Sequence, residues 1–286
     1  MVTGGSGFIG SHISKHLNER GLKLDNISKS NGYDLTEDGL KNYEKVDKIL
    51  HLASNTFIPD SFREPETVYR NNLLTLLNVL EYSRKNSVKE LVFFSSYIYG
   101  HPEYLPVDEL HARKTNNPYG RSKIQCEELC NAYAEDYGMR IIILRPFNIF
   151  GFGQSEKFLI PTIIHQVNDK NSEIISLENL EPKRDFLYIN DLLDAIDRII
   201  SSPLPEGLNT YNIGSGESFS VLHVAETIMN IFGANKKIVG RSLVRKNEIL
   251  DCYANIEKIN NDYGWRPKFR FDEGITHLKK QYTYKG

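Results

Sequence analysis

A tyrosine and a lysine stand four residues apart in Asn117-Pro118-Tyr119-Gly120-Arg121-Ser122-Lys123. The run that follows, Ile124-Gln125-Cys126-Glu127-Glu128-Leu129, reads as helix. On a helix, residues four apart lie one above the other, so the phenol and the ammonium share a face. A nearby ammonium favours phenolate, which predicts a Tyr119 pKa below its reference of about 10. A phenol tuned in this way exchanges a proton with a sugar or alcohol hydroxyl near neutral pH. Tyr–Lys pairs at this spacing are also common on solvated helices. The chemistry therefore needs a dinucleotide, an orienting hydroxyl and a substrate pocket from elsewhere in the chain.

The N-terminus offers the first of these. Glycines at 4, 7 and 10 in Met1-Val2-Thr3-Gly4-Gly5-Ser6-Gly7-Phe8-Ile9-Gly10 open a helix expected to run to about Arg20. Gly4 permits the tight turn, Gly7 lets backbone approach a pyrophosphate, and Gly10 lets the helix pack on its strand. The diphosphate then meets free N–H groups and the positive end of the helix dipole. Only Met1-Val2-Thr3 is left for the first strand, short for a central one, which fits a start lying further upstream. Gly21 ends the helix, and Leu22–Ile27 is expected to be the second strand. In such folds an acid at the end of this strand holds a ribose 2′-hydroxyl. Here Ser28-Lys29-Ser30 stands there, which suits a 2′-phosphate and favours NADP over NAD; a shorter strand would instead put Asp25 at the acid position.

Asp34-Leu35 follows, then a polar helix expected over 37–43. Lys48–Ser54 is a strand pattern ending in small residues, Leu52-Ala53-Ser54, that leave room for a ligand. Its His51 reads as packed rather than catalytic. Glu64–Arg84 is an apolar-striped helix in which Asn71 could face a cofactor. Lys89–Phe94 is the next short apolar strand, and its end supplies Ser95-Ser96-Tyr97-Ile98-Tyr99-Gly100. A hydroxyl there could bind the same substrate oxygen as Tyr119. Met139–Asn148 is another strand. Strands alternating with helices predict an α/β fold, a doubly wound parallel sheet with ligands beyond the carboxyl ends of its strands. Later, Lys183–Ile189 is strand-like, Asn190-Asp191 is expected to cap a helix over 192–200, and Leu222–Phe232 is helical. Arg184 and Arg245 offer planar guanidinium groups suited to phosphate oxygens.

Composition narrows the class. The 286 residues are 40% hydrophobic and 25% charged, as in ordinary globular proteins. A net charge of −2 gives no reason to invoke nucleic acid or an anionic membrane. No apolar run approaches the roughly 20 residues of a membrane span, and glycines interrupt any signal-like start. Three cysteines cannot build a disulfide framework, so a reduced cytoplasmic setting is expected. Cys126 and Cys130 share a helix face without further ligands, and no metal is expected.

Taken in order, these motifs resemble the extended short-chain dehydrogenase/reductase family, in its nucleotide-sugar epimerase/dehydratase/reductase branch. The similarity covers Thr3–Gly10, Asp34-Leu35, His51-Leu52-Ala53, Ser95–Gly100, Tyr119–Lys123, Arg145–Gly151, Arg184-Asp185-Phe186, Tyr211–Gly216 and Gly264-Trp265-Arg266-Pro267. The resemblance implies a Rossmann domain over residues 1–152 and a smaller C-terminal α+β nucleotide-sugar lobe over 153–286, with about 184–200 returning to the first. It implies Tyr119 as acid/base, Lys123 as its partner on the nicotinamide ribose, and Ser95, four before Tyr99, as the catalytic hydroxyl. Gly4, Gly7, Phe8, Ile9, Gly10, Ser28, Lys29, Asp34, Leu35, Leu52, Ala53, Ser54, Asn71 and Pro146 would line the cofactor. Ser96, Asn148, Arg184 and Arg245 would join Ser95 and Tyr119 around a nucleoside-diphosphate sugar; the usual Arg-x-Gly-Asp is Arg245-Lys246-Asn247-Glu248 here. The family often dimerises through the helices near 64–84 and 119–137.

Departures from the family pattern narrow the reaction. The 4,6-dehydratases carry Asp-Glu where this chain has Ser96-Tyr97, and the fucose-type epimerase-reductases carry Cys where Tyr97 stands. Simple hydride chemistry remains: reduction of a 4-keto sugar with NADPH, or 4-epimerisation with retained NAD. Ser28-Lys29 tips the reading toward the reductase. A catalytically idle dinucleotide sensor is the remaining alternative, and the intact Ser95, Tyr119 and Lys123 set argues against it.

Overall fold

Short apolar runs become strands and amphipathic runs become helices in the computed structural model, which describes residues 1–37, 39–41, 43–242 and 248–283. Val2–Thr3 (β1) leads through the glycine-rich loop into Phe8–Glu19 (α1). Asn26–Ile27 (β2) and a 3-10 turn at Lys29–Asn31 follow. Lys48–His51 (β3) precedes Ile58–Arg63 (α2) and Pro65–Lys85 (α3). Glu90–Phe94 (β4), Pro118–Tyr137 (α4), Arg140–Pro146 (β5) and Asn148–Phe150 (β6) come next. Then come Leu159–Asn168 (α5), Ile174–Leu177 (β7), Lys183–Arg184 (β8), Phe186–Tyr188 (β9) and Ile189–Ile200 (α6). The last elements are Leu208–Ile213 (β10), Phe219–Ser220 (β11), Val221–Phe232 (α7), Lys237–Gly240 (β12), Glu257–Tyr263 (α8) and Phe271–Thr283 (α9).

The chain divides into two units. One takes Met1–Gly100, Glu109–Pro146 and Ala195–Asn212; the other takes His101–Asp108, Phe147–Asp194 and Ile213–Gly286. The division falls after Pro146 rather than at residue 152, because the chain leaves the large sheet there and Asn148–Phe150 pairs with β9 instead. The segment that returns to the first unit is Ala195–Asn212, not 184–200.

The first unit holds a six-stranded sheet in the order β2-β1-β3-β4-β5-β10. Its β2–β1, β1–β3, β3–β4 and β4–β5 pairs are parallel. The chain must therefore cross over between neighbours, and helices supply the crossovers. Leu76, Val79 and Leu80 of α3 and Cys126 and Cys130 of α4 pack with Ile49, Leu91, Phe93, Ile141 and Ile143 of the sheet in one buried cluster. A fully buried Leu or Val contributes about 1.5–3 kcal/mol, so this layer fixes α4 firmly. Asn117 starts α4, its Oδ1 accepting the Gly120 N–H at 2.8 Å, and Pro118 occupies the first turn, where a missing N–H costs nothing.

The second unit pairs β6 with β9 and β7 with β12 in parallel, and β8 with β11 antiparallel. Phe150, Tyr188, Phe219 and Phe271 interlock with ring centroids 5.1–5.5 Å apart. Fully buried Trp265 donates from Nε1 to the Asp191 carbonyl at 3.1 Å.

Three expected elements differ. The second strand is two residues long rather than six, because only Asn26 and Ile27 find partners on β1. The described residues of 37–43 form turns, not a helix; the Asp34 side chain takes the Thr36 N–H, and a Cβ on Gly39 would lie 2.5 Å from the Asp34 carbonyl. Helix α6 begins at Ile189, so Asp191 does not cap it from outside. Its carboxylate instead accepts the N–H groups of Lys268 (2.8 Å) and Phe269 (3.3 Å).

Candidate active site

The glycine loop is a cradle that side chains would fill. Gly4 has φ +72°, and a Cβ there would fall 2.7 Å from the Ala53 N. A Cβ on Gly10 would fall 2.2 Å from the Gly4 carbonyl oxygen. Backbone thus passes within contact of backbone, which only glycine allows. Gly7, Phe8 and Ile9 lie at the open start of α1, whose first turn carries no acid. Its N–H groups have no carbonyl partners within the helix. The arrangement fits a dinucleotide diphosphate.

Thr3 and His51 close the floor beneath the loop. Thr3 Oγ1 lies 2.7 Å from His51 Nδ1 and accepts the Ala53 N–H at 3.4 Å. Burial, then the Lys123 charge, hold the His51 pKa down to about 3. The ring is neutral and stacked on Phe93 at 5.9 Å, a packed histidine as the sequence suggested. Leu52 and Ser54 are half-buried at this strand end, whereas Leu35, expected against the cofactor, is buried in the core beside α3.

At the end of β2 the register Thr3↔Ile27 decides between the rival residues. Asp25 precedes the strand, and its carbonyl accepts the Val2 N–H. It is not at the acid position. Ser28, Lys29 and Ser30 follow the strand, and Lys29 Nζ lies 3.0 Å from Asp34 Oδ2. Asn71 is only half-buried and reaches Asn55 at 3.5 Å. Its neighbour Asn72 is the buried one: it accepts the Asn55 N–H at 2.8 Å and donates to Ser122 Oγ at 2.9 Å, tying the loop after β3 to α4. The signal was available, since Asn72 lies midway between Val68 and Leu76 on the apolar stripe of α3.

Tyr119 and Lys123 share a face of α4, as their spacing predicts, and both are buried. The expected lowering of the Tyr119 pKa does not occur. Burial pushes the phenol up to about 12, and the hydrogen bond to the Ser96 side chain offsets only part of this. Lys123 donates from Nζ to the Phe94 carbonyl at 2.8 Å and lies 4.8 Å from the Phe93 ring centre. Burial lowers its own pKa to about 8.

The two serines part company. Ser95 Oγ donates to Glu127 Oε1 at 2.6 Å, and Arg145 holds the same carboxylate with Nε at 3.0 Å and Nη2 at 2.7 Å. Ser96 faces Tyr119. Counting back from Tyr99 selects Ser95, but the geometry brings Ser96 to the phenol. Glu127 and Arg145 went unassigned at the sequence level, although Glu127 continues the Tyr119–Lys123 spacing by one more turn. Pro146 is buried at the end of β5.

Among the residues expected to meet substrate, Asn148 and Arg184 belong to the second unit. Asn148 Nδ2 donates to the Asp185 carbonyl at 2.8 Å, and Arg184 Nη1 donates to the Ile249 carbonyl at 2.7 Å. Between them in sequence, Asp185 is fully buried, with four hydrogen bonds from Ser215 N, Ser215 Oγ, Gly216 N and Ala254 N. Burial pushes it up to about 6 despite those donors. Arg245 lies outside the described residues. Among the described residues no group of three or more His, Cys, Asp or Glu could hold a metal, and no helix is long and apolar enough to cross a membrane.

A family model described as the NAD dependent epimerase/dehydratase family matches residues 1–214. The chain belongs to that family. As a member it is an NAD(P)-dependent enzyme, and its sheet is the parallel doubly wound sheet that the strand alternation predicts. The chain is similar to a GDP-6-deoxy-D-mannose reductase of Pseudomonas aeruginosa, 29% identical over 96% of this chain and 94% of that one. It is also similar to a UDP-glucose 4-epimerase of Bacillus subtilis, 29% identical over 96% of this chain and 93% of that one. A solved structure titled RMD from Pseudomonas aeruginosa complexed with NADPH superposes with a TM-score of 0.90, at 27% identity over 100% of this chain and 98% of that one.

Proposed function

We propose that the chain reduces a nucleoside-diphosphate 4-keto sugar with NADPH, the proton coming from Tyr119. The observation that carries this is the hydrogen bond between buried Tyr119 and the half-buried Ser96, in the same unit as the Gly4–Gly10 cradle. A phenol held near 12 is protonated at neutral pH, so it is set to give a proton to a carbonyl oxygen as that oxygen gains charge. Ser96 would hold the same oxygen from a second side. No carboxylate stands at 96 or 97 to remove a carbon-bound proton, which supports simple hydride chemistry over dehydration.

Gly4, Gly7 and Gly10 with the start of α1 would hold the diphosphate, and Lys123 the nicotinamide ribose. Ser28 and Lys29 would take a 2′-phosphate, which supports NADP over NAD. The bound dinucleotide supplies the hydride. Asn148 and Arg184 are assigned to the nucleotide-sugar, with Arg245 a further diphosphate contact. The same reading takes the enzyme as a cytoplasmic homodimer; the half-exposed Tyr137 on α4 supports a contact there, and sedimentation equilibrium checks it.

The second reading is an NDP-sugar 4-epimerase with retained NAD, supported by the Bacillus relative at the same identity as the reductase. Denaturing freshly purified protein and identifying the released nucleotide separates them. Little bound nucleotide, with NADPH raising Tm more than NADH, is the expected result. Near-stoichiometric NAD would overturn the reductase reading. Tyr119→Phe that keeps both cofactor binding and turnover would overturn the role of the phenol, and a wild type that binds cofactor but turns over no keto sugar would leave the idle sensor.

A further inference from the structure

The chain passes between the two units after Gly100, Asp108, Pro146, Asp194 and Asn212. Helix α6 runs straight through the crossing after Asp194, so its own backbone bonds carry the chain there. The other four crossings share a different support. Tyr99, Glu109, Arg145 and Asn212, each at a crossing or one residue from it, close a ring of hydrogen bonds within the first unit. Arg145 Nη1 donates to the Tyr99 hydroxyl at 3.0 Å and to the Glu109 carbonyl at 3.2 Å. The Tyr99 hydroxyl donates to Asn212 Oδ1, and the Asn212 N–H donates to Glu109 Oε1 at 2.7 Å. Tyr99, Arg145 and Asn212 are buried and Glu109 is half-buried. Burial pushes the Tyr99 phenol above its ordinary value, so it stays neutral and both accepts from Arg145 and donates to Asn212. The far edge of the guanidinium is held on Glu127, which fixes its plane.

In a buried ring each member is the partner of the next, so losing one bond strands a donor and an acceptor and loosens the rest. What lies just beyond the ring gives it a consequence. Past two of the crossings, the Phe147 N–H donates to the Ile213 carbonyl at 2.8 Å, joining the two emerging segments. The next residue, Asn148, donates to the Asp185 carbonyl from its N–H (3.2 Å) and from Nδ2 (2.8 Å). The Asp185 carboxylate in turn takes the N–H groups of Ser215 and Gly216, shortly after Ile213, and Arg184 is its neighbour in the chain. We propose that the ring anchors the backbone that carries Asn148 and Arg184, which makes Tyr99 and Arg145 positioning residues for nucleotide-sugar binding. This rests on the assignment of Asn148 and Arg184 to the nucleotide-sugar and adds to it the residues that hold them in place.

The test combines hydrogen exchange of the full chain with calorimetric titration by UDP, GDP, dTDP and NADPH. Tyr99→Phe removes one hydroxyl and opens the ring while Arg145 stays on Glu127. Exchange is expected to quicken at least about tenfold over residues 98–101, 108–111, 145–148 and 211–214 together. Residues 193–196 and strand β4 are expected to stay within about twofold of wild type. The nucleoside diphosphate that wild type binds is expected to weaken roughly five- to tenfold, the scale of one displaced phosphate contact, with NADPH moved about twofold or less. Faster exchange spread evenly over the first unit, which a merely structural role would give, overturns the inference. So does a diphosphate affinity that does not change. Should Tyr99→Phe fail to fold, Glu109→Ala opens the ring at its half-buried member and is judged by the same outcomes. Wild type that binds none of the three diphosphates would remove the nucleotide-sugar reading and the inference with it; wild type that binds one, with Tyr99→Phe binding it equally well, removes the inference alone.

Discussion

Glu127 draws the Ser95 hydroxyl to itself at 2.6 Å, while Arg145 grips that carboxylate from two further positions. All three are buried, and a buried charge that loses its partner costs several kcal/mol. The Ser95 side chain is therefore committed to the network. Ser96→Ala is expected to lower kcat by about a hundredfold with dinucleotide binding kept. Ser95→Ala should change kcat much less while lowering Tm; steady-state kinetics with thermal melts distinguish the two. Glu127→Gln should cost about 3–5 kcal/mol in urea unfolding. Lys123 adds a pH signature. Its folded pKa is depressed to about 8 from 10.5, so between those values the unfolded chain binds more protons. Stability from this site therefore rises with pH across that window. Lys123→Met should remove that slope in urea titrations at pH 8 and pH 10. The shared helix face of Tyr119 and Lys123 was legible from their spacing. The direction each side chain takes was not, because burial and the Phe94 carbonyl decide it, and neither is visible in a spacing.

Among the elements, the glycine loop and the start of α1 were the most legible, since three glycines at fixed spacing leave few backbone options. Gly10→Ala places a methyl 2.2 Å from the Gly4 carbonyl oxygen. It should lift α1 off β1 and weaken dinucleotide binding at least tenfold, with a lower Tm even without nucleotide. The β2 turn was only partly legible. A six-residue apolar-polar run suggested a strand, but pairing to a two-residue β1 leaves room for two residues. Asp191 shows a different limit: it was expected to cap a helix over 192–200, but the helix starts at Ile189 and the carboxylate serves the Lys268–Phe269 backbone, a partner 77 residues away. Asp185 organises the second unit in the same way. Its folded pKa is raised to about 6 from 3.8, so the folded state holds the proton more tightly. The stability it contributes is full below about pH 4 and is lost as pH rises through about 6. Asp185→Asn must turn an NH2 toward two N–H donors. It should destabilise by about 1–3 kcal/mol at neutral pH and flatten that acid-range slope, as chemical denaturation at pH 4 and pH 7 would show.

At the scale of the whole molecule, Cys126, Cys130 and Cys252 are all free and buried. Burial raises all three thiols, Cys126 to about 11. Thiol reagents attack thiolate at exposed sulfur, so labelling of the native protein should proceed only through opening, about a thousandfold or more slower than in denaturant. Cys126 and Cys130 belong to the first unit and Cys252 to the second. Mass spectrometry of labelled peptides would therefore give a separate opening rate for each unit. The α/β class was readable from the alternation of strands and helices. The true division was not, because it depends on which strand Asn148–Phe150 joins after the large sheet ends.

That division also bears on how the protein is made. Domains of a nascent chain commonly fold in the order they leave the ribosome. Here the first unit needs Ala195–Asn212, which brings most of β10 to the edge of the sheet beside β5. Translation must deliver residue 212 of 286 before that edge is covered. By then Phe147–Asp194 of the other unit has already been synthesised. During synthesis the β5 edge stays open while foreign sequence emerges beside it, an interval in which a chaperone or a pause in translation would do most to keep the chain from pairing wrongly.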